Sequence, residues 1–432
     1  MSKVGFITLG CKVNIYESNA LKNELMAEGF EVTEAEENCD AYIINTCSVT
    51  NMADAKSRKM IRKAVKLNPQ AVICAMGCYV QTNAEASGIE GVDILIGNGN
   101  KKEAVAQIKK MLSAPRASKY INILDILNTH EYEPLGVTTY DHTRAFVKIE
   151  DGCENFCTYC IIPYARGPVR CKPADEVIQE LKRITDKGYL EVVLAGIHTG
   201  RYMDGALNLS GLIQRIIREV PKLERLRLSS IEINEVDDDF IELMRKYPLL
   251  ANHLHLPLQS GSDTVLEKME RRYNTDYFLS RIQKIREVRP DISLTTDVIV
   301  GFPYESDEEY QKSKEFIARV GFSKLHVFPY SMRRGTKAVE MPQIPDSVKR
   351  RRASDLIAYS ERLEENYAKG FIGKRLDVIV EQTVNSGQMI GHTSNFLQVI
   401  LENQPKWMGK KVKVEITAVS GGKVYGKIAE NL

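Results

Sequence analysis

"VGFITLGC" (residues 4–11) is an apolar run that stops at a glycine and a cysteine, and the same design recurs twice. "AYIIN" (41–45) leads into Thr46-Cys47, and "AVICAM" (71–76) leads into Gly77-Cys78. Each run reads as a buried strand. Between the first two lies an amphipathic stretch with Leu21 and Leu25 four apart, ending near Gly29, as a helix C-terminus does. A second helical run reaches Leu67 and is stopped by Asn68-Pro69, and "VDILIG" (92–97) supplies a fourth strand. Strands alternating with helices predict a parallel sheet, whose carboxyl edge is where ligands bind. Cys11, Cys47 and Cys78 each fall just past a strand, 36 and 31 residues apart, one strand–helix unit each. The pattern therefore predicts three thiols meeting on one sheet edge. Cys74 differs from Cys78: it lies inside its strand, where a free cysteine acts as a small hydrophobe.

The rest of the chain predicts two further units. At 432 residues it is long for one core and suggests about three domains. Residues 112–143 read as a polar, Pro- and Gly-punctuated connector. From Arg144 onward come "AFVKIE", "EVVLAG", "RLRLSSIE", "HLHLPLQ", "SLTTDVIVGF" and "KLHVFPY", six strand-like runs with helical stretches between them. They predict a parallel barrel or partial barrel, with function at the carboxyl ends of its strands. After a charged helical segment, the tail breaks into short alternating runs such as "RLDVIVEQ" and "KKVKVEITAVS", the pattern of a small all-β barrel.

Bulk properties exclude little. Formal net charge is +2, from 59 basic and 57 acidic residues, so any nucleic-acid surface must be local. No apolar run approaches the length of a membrane span, and the N-terminus lacks a signal peptide's apolar core. These features predict a cytoplasmic protein with no membrane partner. Its nine cysteines, an odd number, read there as metal ligands or catalytic groups before disulfides.

"CENFCTYC" places Cys153, Cys157 and Cys160 in a C-x3-C-x2-C triplet after the first strand of the second unit. Three soft thiolates can hold three irons of a [4Fe-4S] cluster, leaving one iron open to a cofactor with amino and carboxylate groups. A zinc site would show C-x2-C spacings and a fourth Cys or His, and neither is present in the motif.

With its aromatic Tyr159 before the last cysteine, this triplet resembles the signature of the radical S-adenosylmethionine (SAM) superfamily. Within it the chain resembles the methylthiotransferases, through "LGCKVN", "NTCSVT", "GCYVQ", "DGCENFCTYCIIPYARG", "LAGIHTG", "LPLQSGSD" and "TTDVIVGFP". The resemblance implies an α/β multidomain protein. Its expected parts are an N-terminal parallel α/β domain (1–135), a radical SAM partial (β/α)6 TIM-like barrel (140–368) and a C-terminal TRAM β-barrel (370–432). It implies two [4Fe-4S] clusters as cofactors with SAM: one on Cys153, Cys157 and Cys160, and an auxiliary one on Cys11, Cys47 and Cys78. All six cysteines would then be catalytic. Cofactor contacts fall on Tyr159, Gly196, Gln259, Ser260 and Gly301, the last four at strand ends.

The implied chemistry replaces an unreactive aromatic C–H by a methylthio group, through a 5′-deoxyadenosyl radical that takes the hydrogen atom. The implied substrates are adenosine 37 in the tRNA anticodon loop, carrying a threonylcarbamoyl or isopentenyl group, or an aspartate of a ribosomal protein. "LGCKVNIYES" is most similar to the threonylcarbamoyl branch; the isopentenyl branch reads more like "GCQMN" and the ribosomal branch like "GCPKN". The implied partners are tRNA and an electron donor such as a flavodoxin or ferredoxin, with the enzyme a monomer. The tail from Phe371 carries eight Lys/Arg against five Asp/Glu, a mildly basic barrel expected beside the active site. Competing readings are a cluster protein that only transfers electrons, and a tRNA-binding protein with structural zinc. His253 and His255, two apart on a strand, share one face and are read as barrel lining. Cys39 and Cys171 are read as structural. "KRRR" (349–352) is read as a solvated helix face.

Overall fold

In the computed structural model, which describes residues 1–83, 86, 88–113, 118–140, 143–384 and 387–429, six parallel strands build the first sheet. The chain runs β1 (Lys3–Thr8), α1 (Lys12–Ala27), β2 (Glu31–Glu34), β3 (Ala41–Thr46), α2 (Asn51–Leu67), β4 (Val72–Gly77), α3 (Cys78–Thr82), β5 (Ile94–Ile96), α4 (Glu103–Ser113) and β6 (Tyr120–Asn122). Strand order is β2-β1-β3-β4-β5-β6. Every residue of β3 and β4 is buried, as expected for central strands covered on both faces. The four sequence-predicted strands are present. The added β2 and β6 are short edge strands whose residues are half-buried or exposed, so they carry no apolar run to read. β6 lies within the expected connector, and Leu135, Val137 and Tyr140 of that stretch are buried rather than surface-borne. Residues 114–117 and 141–142 of the connector lie outside the described residues.

The second unit continues with β7 (Arg144–Lys148), the short pair β8 (Glu150–Asp151) and β9 (Arg170–Cys171) flanking α5 (Ile162–Arg166), and α6 (Ala174–Asp186). Then come β10 (Glu191–Ala195), the hairpin β11 (Met203–Asp204) and β12 (Leu207–Asn208), α7 (Leu209–Glu219), β13 (Arg225–Leu228), α8 (Asp238–Lys246), β14 (His253–His255), α9 (Asp263–Lys268) and α10 (Thr275–Val288). It closes with β15 (Ser293–Val300), α11 (Asp307–Val320), β16 (Lys324–Pro329) and α12 (Asp346–Lys369). The sheets β13-β10-β7 and β14-β15-β16 are parallel, and a parallel bridge from Leu226 to Leu250 joins them into a six-stranded partial barrel, open between β7 and β16. Alternate residues Ala145, Val147, Val192, Leu194, Leu226, Leu254 and Val298 join the core under the helices. Their neighbours Arg144, Glu191, Arg227, His253, His255 and Asp297 face the other side and line the lumen. α1 lies along β7, beside the barrel's opening.

The third unit is a closed barrel in the order β17-β18-β19-β21-β20, from β17 (Arg375–Thr383), β18 (Met389–Thr393), β19 (Gln398–Leu401), β20 (Lys411–Ser420) and β21 (Lys423–Ile428). It docks on the amino ends of the larger barrel. Arg225 donates to the carbonyls of His392 (3.0 Å) and Asp377 (3.1 Å), and Arg227 to that of Ser394 (3.2 Å). Arg144 pairs with Glu381 at 3.2 Å. Phe396, held at φ +67°, stacks on His253 (5.1 Å between centroids) and receives the guanidinium of Arg227 at 4.6 Å, so the loop after β18 floors the lumen. No described helix is long and apolar enough to cross a membrane.

Candidate active site between two cysteine triads

β1, β3 and β4 are neighbours in the sheet, and each hands a cysteine to the same edge. Cys11 follows Gly10 and precedes α1, Cys47 follows β3, and Cys78 opens α3. The approach is close. A Cβ on Gly10, at φ +100°, would stand 3.2 Å from the Cys47 Sγ, and one on Gly77, at φ +96°, would stand 2.7 Å from Asn45 Oδ1. Glycine is required at both turns. Asn14 of α1 donates to the carbonyls of Leu9 (2.7 Å) and Thr46 (2.9 Å), tying two of the cysteine-bearing loops together. Asn98 donates to the Cys78 Sγ (3.6 Å) and to the Ala165 carbonyl (2.6 Å), and so links this triad to the second unit. Burial pushes the Cys47 thiol up to about 11, helped by the nearby thiols of Cys78 and Cys11.

Cys153, Cys157 and Cys160 sit in the loop between β8 and α5, at the carboxyl end of the partial barrel. The loop is pinned by backbone bonds from Cys153 to Gly167 (3.0 Å), Cys160 to Cys157 (2.9 Å) and Thr158 to Met269 (3.2 Å). Burial pushes both Cys153 and Cys160 up to about 12, with neighbouring thiols of the triad adding to it. Arg271 donates to the Cys157 Sγ at 3.2 Å and is held in turn by Glu232. His198 Nδ1 lies 3.7 Å from the Cys153 Sγ, and its ring pairs with Glu235 at 2.6 Å. Asn155, Cys157, His198, Glu232, Glu235 and Arg271 line one concave pocket.

The sequence-predicted cofactor residues gather around this loop. Tyr159 packs edge-on against Phe302 (6.2 Å), next to Gly301. Gly301, at φ +68°, donates its N–H to Glu305 (2.8 Å), whose carboxyl burial pushes up to about 7. Gly196 passes so near Glu150 that a Cβ would lie 2.6 Å from its carboxylate. Gln259, at φ +66°, bonds through its backbone to Asp297 and Ile299 of β15. Ser260 is buried, and its hydroxyl accepts the Ser262 N–H at 3.2 Å.

Between the triads lies a buried charged network that sequence reading passed over. Arg166, the last residue of α5, reaches Asn14 (2.5 Å), Glu17 (2.8 Å) and Asp151 (3.0 Å); Lys101 and Lys148 also meet Glu17. Arg166 and the lysines hold the Glu17 and Asp151 carboxyls well below their usual range, against the opposing effect of burial. Arg166 also draws the thiols of Cys11 and Cys47 down, against the larger upward effect of burial. The only sequence signal was its place in "YARG", directly after the second triad.

Lys12, next to Cys11, was not singled out either. It makes no hydrogen bond or ion pair with the described residues and is open to water. Burial lowers its pKa, as do the guanidinium groups of Arg144 and Arg227, while Cys11 and Asp297 act the other way. His253 feels it as well. Lys12 opens α1, which lies along β7, so it stands at the mouth of the lumen, beside the barrel's opening.

The donor sets suit iron–sulfur clusters. All nine cysteines are free, and each triad buries thiols that become thiolates only against a positive partner. Among the described residues no group of three His, Cys, Asp or Glu is drawn close enough to grip a single ion. Thiolates that each hold a different iron stand further apart than ligands of one zinc. Cys74 and Cys39 are fully buried, and Cys171 accepts the Met203 N–H at 3.2 Å. Of "KRRR", Lys349 and Arg352 are buried, and Arg352 pairs with Glu305 (2.6 Å), so half of that run is internal. His253 and His255 both meet Thr295 at 3.0 Å, as barrel lining.

Residues 147–317 match the Radical SAM superfamily, 3–97 the Uncharacterized protein family UPF0004, and 369–429 the TRAM domain. The chain is 41% identical to the threonylcarbamoyladenosine tRNA methylthiotransferase MtaB of Bacillus subtilis, covering 96% of this chain and 94% of the relative. The protein of the same name from Aquifex aeolicus is 36% identical, covering 96% and 100%. A tRNA-2-methylthio-N(6)-dimethylallyladenosine synthase of Fervidobacterium nodosum is 32% identical over the whole of both chains. In fold, the chain is similar to the radical S-adenosylmethionine methyltransferase TsrM of Kitasatospora setae, at a TM-score of 0.56 and 14% identity, covering 78% and 77%.

Proposed function

The chain belongs to the radical SAM methylthiotransferase family, in its threonylcarbamoyladenosine tRNA branch, and on that premise we propose that it places a methylthio group on C2 of N6-threonylcarbamoyladenosine 37 of tRNA. The observation that carries this reading is the pairing of two cysteine triads, one on each carboxyl sheet edge, joined by Asn98 and Arg166. An enzyme that both removes a hydrogen and delivers sulfur needs two such centres facing one substrate.

Cys153, Cys157 and Cys160 hold a [4Fe-4S] cluster with SAM. When bound, this pair supplies one-electron chemistry that takes a hydrogen atom from a C–H bond no base can deprotonate. Cys11, Cys47 and Cys78 hold a second [4Fe-4S] cluster, which supplies the sulfur-transfer chemistry. The protein's own part is positional. Arg271 donates to the Cys157 sulfur and is oriented by Glu232, so a positive charge sits against one ligand of the first triad. Glu150 accepts the His198 N–H at 2.7 Å and holds the turn after Gly196 against the site. The cofactor's contacts are assigned to Gly196, Gln259, Ser260 and Gly301, at the carboxyl ends of barrel strands, with Tyr159 in the cysteine loop itself. Asn14 and Arg166 hold the first unit against the second, which keeps the two triads in register.

The same reading has the enzyme work as a monomer in the cytoplasm, reduced by a flavodoxin- or ferredoxin-type carrier. It is tested by anaerobic reconstitution with iron, sulfide, SAM, a reductant and tRNA, followed by mass analysis of nucleosides. Threonylcarbamoyladenosine should gain a methylthio group. Modification of the isopentenyl nucleoside instead would overturn the branch, and a protein loaded with zinc and inert toward SAM would overturn the whole reading.

A further inference from the structure

The lumen's charges are paired off with one exception. Arg144 has Glu381 (3.2 Å), Arg225 and Arg227 share Glu191 (2.9 and 2.8 Å), and Asp297 has His255 (3.3 Å). Lys148, at the carboxyl end of β7, is taken up by Glu17 and Asp151. Among these cations Lys12 alone has no hydrogen bond or ion pair with the described residues, and it is open to water at the barrel's opening. A cation at a pocket's mouth that is bonded to none of the pocket's carboxylates is a site for an anion.

Its place in the chain narrows which anion. Lys12 is the residue after Cys11, and therefore adjacent to the centre assigned to sulfur delivery. In adenine, C2 and the C6 that carries N6 flank the same ring nitrogen. A base that offers C2 to sulfur beside Cys11 thus keeps its N6 substituent within reach of a long side chain at position 12. A threonylcarbamoyl substituent ends in a carboxylate, whereas an isopentenyl one is wholly apolar. Resting on the threonylcarbamoyl reading above, we infer that Lys12 is a specificity-determining residue, its ammonium binding the threonyl carboxylate of the substrate nucleoside in the lumen. Arg144 and Arg227, already held by their own carboxylates, add attraction without competing for the same contact. His326 lines the same lumen from β16, its ring 5.5 Å from that of His255 between centroids, and offers a ring nitrogen to the threonyl hydroxyl.

The test uses the reconstituted enzyme and synthetic anticodon stem-loops bearing adenosine, threonylcarbamoyladenosine or its methyl ester at position 37. Dissociation constants are measured for the full-length protein and for Lys12→Gln and Lys12→Arg. A hydrogen bond between charged groups predicts that Lys12→Gln weakens binding of the threonylcarbamoyl loop roughly 10- to 100-fold, with Lys12→Arg recovering much of it. Esterification should weaken binding to the unsubstituted enzyme by a similar factor and leave Lys12→Gln nearly indifferent, with iron content retained in both. Equal weakening for all three loops would mean that Lys12 meets a phosphate, and would overturn the inference. So would full ester sensitivity in Lys12→Gln with its iron content retained. If the unsubstituted enzyme methylthiolates the isopentenyl nucleoside and not the threonylcarbamoyl one, the functional reading itself falls, whatever the variants do.

Discussion

Cys153, Cys157 and Cys160 come from eight consecutive residues of one loop, whereas Cys11, Cys47 and Cys78 come from the ends of three strands spread over 68 residues. The first triad is a local object: its geometry is set by a handful of backbone bonds and by the packing of Tyr159 and Thr158. The second exists only when β1, β3 and β4 are paired in register, Thr8 beside Asn45 and Thr46 beside Gly77. Each triad has one buried guanidinium at its side, but the two are used differently. Arg271 donates straight to a cysteine sulfur, while Arg166 spends its bonds on Asn14, Glu17 and Asp151 and acts on its thiols through space. A centre made by tertiary structure therefore needs its surroundings braced, and a centre made by a loop needs only its loop.

Removing single ligands breaks the comparison most sharply. Cys157→Ala should abolish SAM cleavage and product alike, while Cys78→Ala should abolish product and leave SAM cleavage; each should lose roughly half the iron. Iron analysis with separate assays of 5′-deoxyadenosine and modified nucleoside checks this. Equal loss of SAM cleavage in both would mean that the triads are not separate centres. Arg166→Ala leaves Glu17 and Asp151 partly unpaired in the interior, and should cost about 3–5 kcal/mol in chemical unfolding of the cluster-free chain.

The same network sets a pH dependence. Glu17 and Asp151 have folded pKa values below their unfolded ones, so the unfolded chain binds more protons as pH falls under the ordinary carboxylate range. The stability they contribute is present above that range and is lost progressively as pH falls below it, toward the depressed folded values. Urea midpoints of the cluster-free chain should fall there, and more shallowly in Arg166→Ala, where the depression is relieved. An unchanged slope in that variant would break the link. The smallest effect belongs to Cys74→Ala. Removing one buried sulfur from β4 should cost about 1 kcal/mol, with both clusters and product formation retained.

What sequence reading could reach follows the same division. The loop triad was legible as a spacing, and the strand-end triad as a run followed by cysteine three times over, because both are written along the chain. Arg166 was not, since its partners Glu17 and Asn14 lie 149 and 152 residues away on another unit. Lys12 sat within a quoted motif, but its lack of a partner is visible only once α1 is seen beside the barrel's opening. Which end of the larger barrel seats the third unit was not legible, for a related reason. Arg225 and Arg227 bind main-chain carbonyls, which leave no mark on the sequence of either partner. The edge strands β2 and β6 were missed because they bury too little to show a period.

Phe396 gives the third unit a role that its position at the far end of the barrel would not suggest. The lumen has no bottom of its own; the ring of Phe396, braced by His253, His392 and two arginines, is the stopper. A small β-barrel that might have been an interchangeable handle is thereby cut to fit one particular vessel. A chimera carrying another family member's third unit would inherit that member's pocket depth together with its surface, so the two cannot be exchanged independently.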